Sequence, residues 1–290
     1  MTAPVVVGVD GLPPSTAAVA LAVRTAVERH RPVRVVHAFV WPLLNVPLGP
    51  SPYGPPQGGL RHAAEKIVNE AVAYARGCDP RVAVCGEVIN GGVSAVLVAE
   101  SRRAFAVVLG DRGLGGFSGL LVGSVAVQVA AHAGCPVLVA RGTARENGPV
   151  VVGVDGSPNS DRAVAFAAQE AVLRKTDLRA VHAWTGLVST GPGDILPLVY
   201  DPEFVAEEES RLLFEATAGL AERHPDLIVG HRVVRGRAAR TMIAQSHGAQ
   251  LVVVGERGRG GFTGLLLGSV SQALLHHADC PVAVVRPETA

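Results

Sequence analysis

Gly255-Glu256-Arg257-Gly258-Arg259-Gly260-Gly261-Phe262-Thr263-Gly264-Leu265-Leu266-Leu267-Gly268-Ser269 follows the apolar run Leu251-Val252-Val253-Val254. A short, uninterrupted run rich in β-branched residues reads as a buried parallel strand, and residues 270–277 read as a helix. The glycines between them let a backbone approach a ligand with no Cβ in the way. Gly268-Ser269, at the helix start, offers unpaired N–H groups and a hydroxyl to an anion. The stretch therefore predicts a phosphate cradle. A second copy reads Gly110-Asp111-Arg112-Gly113-Leu114-Gly115-Gly116-Phe117-Ser118-Gly119-Leu120-Leu121-Val122-Gly123-Ser124. Each copy is G-x-x-G, nine residues, then G-S, and both its first and last glycines are displaced by 145 residues from their counterparts. A fixed offset predicts a duplicated domain.

The offset extends outward. Val5-Val6-Val7-Gly8-Val9-Asp10-Gly11 matches Val151-Val152-Gly153-Val154-Asp155-Gly156-Ser157, each a short strand ending in an acidic turn. Ligands of open parallel sheets gather at the carboxyl ends of strands, which makes Asp10 and Asp155 candidate site residues. Helices follow, with Val19, Val23 and Val27 on one stripe and Arg24 and Glu28 on another face. Their counterparts are Val164, Ala168 and Val172, with Glu170 and Arg174. Second strands end in His37-Ala38 and His182-Ala183; no acid or cysteine has the spacing that would make the histidines metal ligands, and both read as structural. Proline-rich excursions over 41–59 and 186–202 leave these strand ends, and loops of this length read either as functional lids or as surface loops that bind nothing. Helical stripes resume at Ala64, Ile67, Val68 and Ala71, and at Leu212, Leu213, Ala216 and Leu220. Third strands over 82–88 and 228–234, helices from Ser94 and Ala238, and fourth strands at 106–109 and 251–254 lead to the two glycine loops. Helices from Ser124 and Ser269 and final strands at 137–139 and 282–285 complete each half.

Each half is thus β-α-β-α-β-α-β-α-β, a doubly wound α/β pattern with right-handed crossovers and helices on both faces. The predicted boundaries are 1–141 for the first domain, 142–149 for a polar linker bracketed by Gly142 and Pro149, and 150–290 for the second. In 290 residues, 48% are hydrophobic and only 4% aromatic, so the core is Val, Ala and Leu, which suits buried parallel sheets. A formal charge of +1 gives no general electrostatic reason to bind nucleic acid or an acidic membrane surface. No apolar run reaches the roughly 20 residues of a spanning helix, and a soluble, cytoplasmic protein is expected. Cys78, Cys85, Cys135 and Cys280 form no C-x-x-C pair and read as small buried hydrophobes in a reducing compartment.

The strand-end Asp10 and Asp155, the His-Ala strand ends, the two G-x-x-G-x9-G-S loops and the Cys-Pro pairs before the last strands together resemble the universal stress protein family in its tandem-domain form. The resemblance covers almost the whole chain. It implies two flavodoxin-like domains, each a five-stranded parallel sheet, and ATP as the ligand. By position, the backbone at Ala38 and Ala183 would meet adenine, with Asp10 and Asp155 at the nucleoside end near Gly8 and Gly153. Gly110, Gly113, Gly123 and Ser124, flanked by Leu109 and Val125, would hold ribose and phosphates. Gly255, Gly258, Gly268 and Ser269, flanked by Val254 and Val270, would do so in the second domain. Mg2+ would bridge the phosphates without a dedicated protein cage. The resemblance also implies pairing of the two domains through their last strands, a homodimer, and a regulatory protein partner. The family's Asp-Gly-Ser turn is present at Asp155-Gly156-Ser157, whereas the first copy reads Asp10-Gly11-Leu12 with Pro13-Pro14 in the loop that follows.

The expected function is a nucleotide-dependent regulator of stress response or growth, with no catalytic residues and no protein-held metal. Neither loop sets an obvious general base beside Arg112 or Arg257. The alternatives are a weak ATPase or nucleotidyl-transfer enzyme of related fold, and an interaction module without a nucleotide. His-x-Gly-His, Ser-Gly-Gly-x-Asp and G-x-x-x-x-G-K-S/T patterns are absent, and G-x-G-x-x-G follows neither first strand.

Overall fold

The computed structural model describes residues 2–40, 59–111, 123–143, 145, 147–185, 202–259 and 266–286. The chain divides into two compact units. Unit 1 is Met1–Gly142 with Leu275–His277 and Pro281–Ala290, and unit 2 is Thr143–Leu274 with Ala278–Cys280.

In unit 1 the elements run β1 (Val5–Gly8), α1 (Pro13–Glu28), β2 (Val33–Phe39), α2 (Leu60–Cys78), β3 (Val84–Asn90), α3 (Val93–Ser101), β4 (Ala106–Gly110), α4 (Ser124–His132) and β5 (Val137–Ala140). The strand order is β3-β2-β1-β4-β5, with parallel pairing throughout. The chain winds one way from β1 through β2 to β3 and then returns past β1 to β4, so the carboxyl ends of β1 and β4 flank a topological switch point. α1 and α2 pack together over one face and α3 and α4 over the other. Unit 2 repeats the winding with β6 (Val150–Val154), α5 (Pro158–Leu173), β7 (Leu178–Trp184), α6 (Pro202–Thr217), α7 (Leu220–Arg223), β8 (Val229–Arg235), α8 (Ala238–Ser246), β9 (Leu251–Gly255) and α9 (Ser269–His277). Its order is β9-β6-β7-β8, and its switch point lies between β6 and β9. β10 (Val282–Val285) belongs to unit 1, where it runs antiparallel to β5 with Val282 opposite Val139 and Val284 opposite Val137.

The cores are as aliphatic as the composition requires: Val5, Val7, Val107, Val108, Val150, Val152, Leu251 and Val253 are fully buried on the central strands. The third strands are displaced toward the C-terminus of their predicted ranges because an edge strand takes its limits from its single partner. Asn90 pairs with Phe39 and Arg235 with Trp184. α7 was not predicted; Gly219, at φ +74°, starts this single turn after α6 has ended. Pro13 and Pro14 are not loop residues. They open α1 at positions where the N–H that proline lacks would have no helical partner.

Two further expectations are corrected. Glu170 and Arg174, predicted on a face away from the packed stripe, are buried as an ion pair, whereas Val172 on the predicted stripe is 42% exposed. Steps of four residues advance by about 40° beyond a full turn, so the third member of an i, i+4, i+8 stripe leaves the face that the first occupies. Cys135 and Cys280 are buried, and burial pushes both thiols up to about 12. Cys78 and Cys85 are exposed, because one lies at the end of α2 and the other on the edge strand β3. Among the described residues, no helix is long and apolar enough to cross a membrane.

Candidate functional site

The site of unit 2 is assembled from the ends of β6 and β9. The Asp155 carboxylate ties them together. Its Oδ1 accepts from the Ser157 backbone N–H at 3.0 Å and from Ser157 Oγ at 2.7 Å, and its Oδ2 accepts from the Arg259 backbone N–H at 2.8 Å. Gly156 sits at φ +71°, which turns the chain sharply enough for Ser157 to reach back. Ser157 in turn caps α5, its Oγ accepting from the Ser160 N–H at 3.3 Å. A Cβ at Gly258 would fall on Asp155 Oδ2, so only glycine lets the loop lie across this carboxylate. Asn159 completes the junction by donating Nδ2–H to the Arg257 carbonyl at 3.3 Å, and a Cβ at Gly255 would press on its backbone.

The far end of the loop returns to its start. Gly268 donates its N–H to the Glu256 carbonyl at 2.7 Å, and the buried Ser271 donates Oγ–H to the Gly255 carbonyl at 2.7 Å. α9 begins directly after Gly268 with no side chain capping it, and Ser269 is exposed. The helix therefore presents the positive end of its dipole and uncapped amides beside the end of β9.

Unit 1 builds the same frame from different residues. Asp10 Oδ1 accepts from the Leu12 N–H at 3.0 Å, but Leu12 has no side-chain oxygen with which to cap α1. Gly123 donates its N–H to the Asp111 carbonyl at 2.9 Å, and α4 starts behind it with Ser124 exposed. Gly110 lies against the Pro14 carbonyl, where a Cβ would approach to 2.7 Å. Asp111 is 3.6 Å from Arg141 at the end of β5.

The predicted residues are distributed as follows. Gly8, Asp10, Leu109, Gly110, Gly123, Ser124 and Val125 cluster at the ends of β1 and β4 and the start of α4, with Ala38 one strand away at the end of β2. Gly153, Asp155, Val254, Gly255, Gly258, Gly268, Ser269 and Val270 cluster likewise in unit 2, with Ala183 at the end of β7. Leu109 and Val254 are buried, and the Cα of Gly8 faces Leu109 and Leu97, so these positions pack the strand ends. Gly113 and Arg112, and most of both proline-rich excursions, lie outside the described residues. His37 Nδ1 donates to the Val9 carbonyl at 2.8 Å and His182 Nδ1 to the Val154 carbonyl at 2.7 Å, pinning each second strand to the acidic turn. His182 Nε2 also lies 2.7 Å from Glu209 on α6, a contact that unit 1 replaces with Ala64.

Sequence reasoning missed Asn159, Arg259 and Glu209. The signal available for each was divergence between the repeats: Pro14, Leu114 and Ala64 stand at the equivalent positions. A recess of about 220 Å³ lies between α1 and α2, bordered by Gly11, Ser15, Val19, Ile67, Glu70 and Tyr74. Among the described residues no group of three or more His, Cys, Asp or Glu side chains is arranged to hold a metal ion.

The family model described as "Universal stress protein family" matches residues 1–141 and again 146–286. Universal stress protein Rv2005c of Mycobacterium tuberculosis is 41% identical over 293 residues, covering 97% of this chain and 96% of the relative. A universal stress protein of Mycolicibacterium smegmatis is 37% identical over 295 residues, covering 98% and 97%. The crystal structure of a universal stress protein from Archaeoglobus fulgidus shares the fold with a TM-score of 0.68 at 16% identity, covering 97% of this chain and 96% of that one. Two matches to one family model, and relatives this similar over nearly their whole length, make the chain a tandem-domain member of the universal stress protein family.

Proposed function

We propose that the chain is an ATP-binding regulator in which nucleotide occupancy, rather than turnover, carries the signal. The observation that supports this most directly is the junction in unit 2. There Gly258 lies against the Asp155 carboxylate, and the uncapped start of α9 opens beside it at the switch point of the sheet. In this reading the backbone amides and hydroxyls at Gly268-Ser269 and Gly123-Ser124 hold phosphate, and the adenine lies toward Ala183 and Ala38. Asp155 and Asp10 order the turn at the nucleoside end. Among the described residues the donors are amides and hydroxyls without a carboxylate cage, which suits a Mg2+ ion held chiefly by the phosphates themselves. The ion would screen the phosphate charges from one another when bound.

The decisive measurement is the nucleotide released when the purified protein is denatured, separated by chromatography and identified by mass. One ATP per cradle is the expected result. Gly258→Glu, which places a side chain on Asp155 Oδ2, is expected to remove the nucleotide of unit 2 while circular dichroism stays unchanged. Full retention by a correctly folded Gly258→Glu protein would overturn the assignment of that cradle.

A further inference from the structure

The two cradles differ in charge far more than the shared frame requires. In unit 2, Arg162, Arg257 and Arg259 surround the junction of β6, α5 and the glycine loop, and all three are exposed. Two sets of hydrogen bonds place them. Arg162 Nη1 donates to Asn159 Oδ1 at 3.0 Å, and Asn159 Nδ2 donates to the Arg257 carbonyl at 3.3 Å. Arg259 donates its backbone N–H to Asp155 and reaches the Gly156 carbonyl with Nη2 at 3.3 Å. Among the described residues none of the three guanidinium groups is ion-paired with a carboxylate. The equivalent positions of the first repeat are Ala17, Arg112 and Leu114, and Asn159 is replaced by Pro14. Three cations therefore border one cradle, where the other sequence supplies one.

We infer that the second cradle selects its nucleotide by phosphate number and is the triphosphate-selective site of the chain, whereas the first discriminates little between a monophosphate and a triphosphate. The inference rests on the nucleotide-binding reading above. Guanidinium groups that are not ion-paired and stand beside an amide cradle add charge-assisted hydrogen bonds chiefly to phosphates that project beyond the first one. A monophosphate seated on the amides at the start of α9 gains little from them. An Arg259 side chain already hung on the Gly156 carbonyl is held beside the acidic turn, so less freedom is lost when a phosphate chain arrives. Leu114, at the corresponding point of the first repeat, offers no donor.

The test is calorimetric titration of the full chain with AMP and with ATP plus Mg2+, repeated on the double variant Arg162→Ala and Arg259→Leu. Those substitutions install the residues of the first repeat, keep the Arg259 backbone N–H, and touch unit 2 alone, so any difference between the two proteins reports that unit. The expected result is a wild-type site whose preference for ATP over AMP is roughly tenfold or more and narrows as salt is raised. In the double variant that preference should fall to less than about threefold, matching the other site. Binding of both nucleotides with an ATP preference that survives the double substitution would overturn the inference and leave nucleotide binding intact. Binding of neither nucleotide to the folded wild-type chain would overturn the nucleotide reading itself, and the inference with it.

Discussion

At position 170 the second repeat buries a carboxylate where the first buries a hydroxyl. Thr25 satisfies its Oγ–H on the Leu21 carbonyl at 2.9 Å, and Arg29, one turn later, lies with its guanidinium 5.0 Å from the centre of the Phe105 ring. In the second repeat Gln250 replaces Phe105, and Arg174 instead pairs with Glu170, Nε donating at 2.8 Å and Nη2 lying 2.7 Å from the same oxygen. Both side chains are essentially inaccessible to water. Removing one partner from a buried pair leaves an uncompensated charge. Glu170→Ala should therefore cost about 3–5 kcal/mol in urea unfolding, whereas the double change Glu170→Leu with Arg174→Met should recover most of it. A single variant within about 1 kcal/mol of wild type would show that water or another group already compensates Arg174. The periodicity of α5 did not reveal this pair, because an i, i+4 acid and base have the same pattern whether they face solvent or core.

At the scale of the element, glycine separates helix stability from helix docking. Gly86 on β3 lies under α2, and a Cβ there would collide with Val68 and come within 2.8 Å of Val72. Gly77, inside α2, has open space where its Cβ would be. Gly77→Ala should therefore stabilise by up to about 1 kcal/mol, since it only restrains the unfolded chain and favours the helix. Gly86→Val should destabilise by about 1–3 kcal/mol through overpacking between strand and helix. Thermal unfolding of the two variants beside the wild type checks both signs, and equal shifts in one direction would contradict the packing. The acidic turns show the same division of labour between residue and element. Both helices start on proline, whose φ already suits a helix, but Ser157 adds a side-chain cap to α5 where α1 has none.

For the molecule as a whole, the antiparallel pairing of β10 with β5 is the consequential feature. Val137, Leu138 and Val139 are fully buried, as are Val282, Ala283 and Val284 opposite them. Arg286, just past β10, donates Nη1–H to the Ala130 and Ala131 carbonyls at 3.0 and 2.6 Å near the end of α4. These contacts satisfy carbonyls that the helix terminus leaves open. A chain stopped before Val282 would leave β5 as a bare, uncharged apolar edge, a template for pairing with other chains. Size-exclusion chromatography with light scattering should then show self-association of the truncated chain relative to the full-length protein; an unchanged mass would mean that β5 is protected without β10.

Much of this was legible in the residues alone. The 145-residue offset, the β-branched runs and the strand-loop-helix setting of the glycine pattern are local features, set by neighbours within a few positions. They determined the duplication, the α/β alternation, the placing of each glycine pattern between a fourth strand and the following helix, and the structural role of His37 and His182. What the tertiary structure decided depends on residues far apart in sequence. Arg259 meets Asp155 across 104 residues only because β6 and β9 pair in register, with Val152 beside Val253. That register places Gly258 against a carboxylate and brings Arg257 and Arg259 beside the start of α5, while a separate antiparallel register sets β10 on the edge of β5. Pairwise contacts of this range arise from strand register and helix docking, which no local pattern encodes.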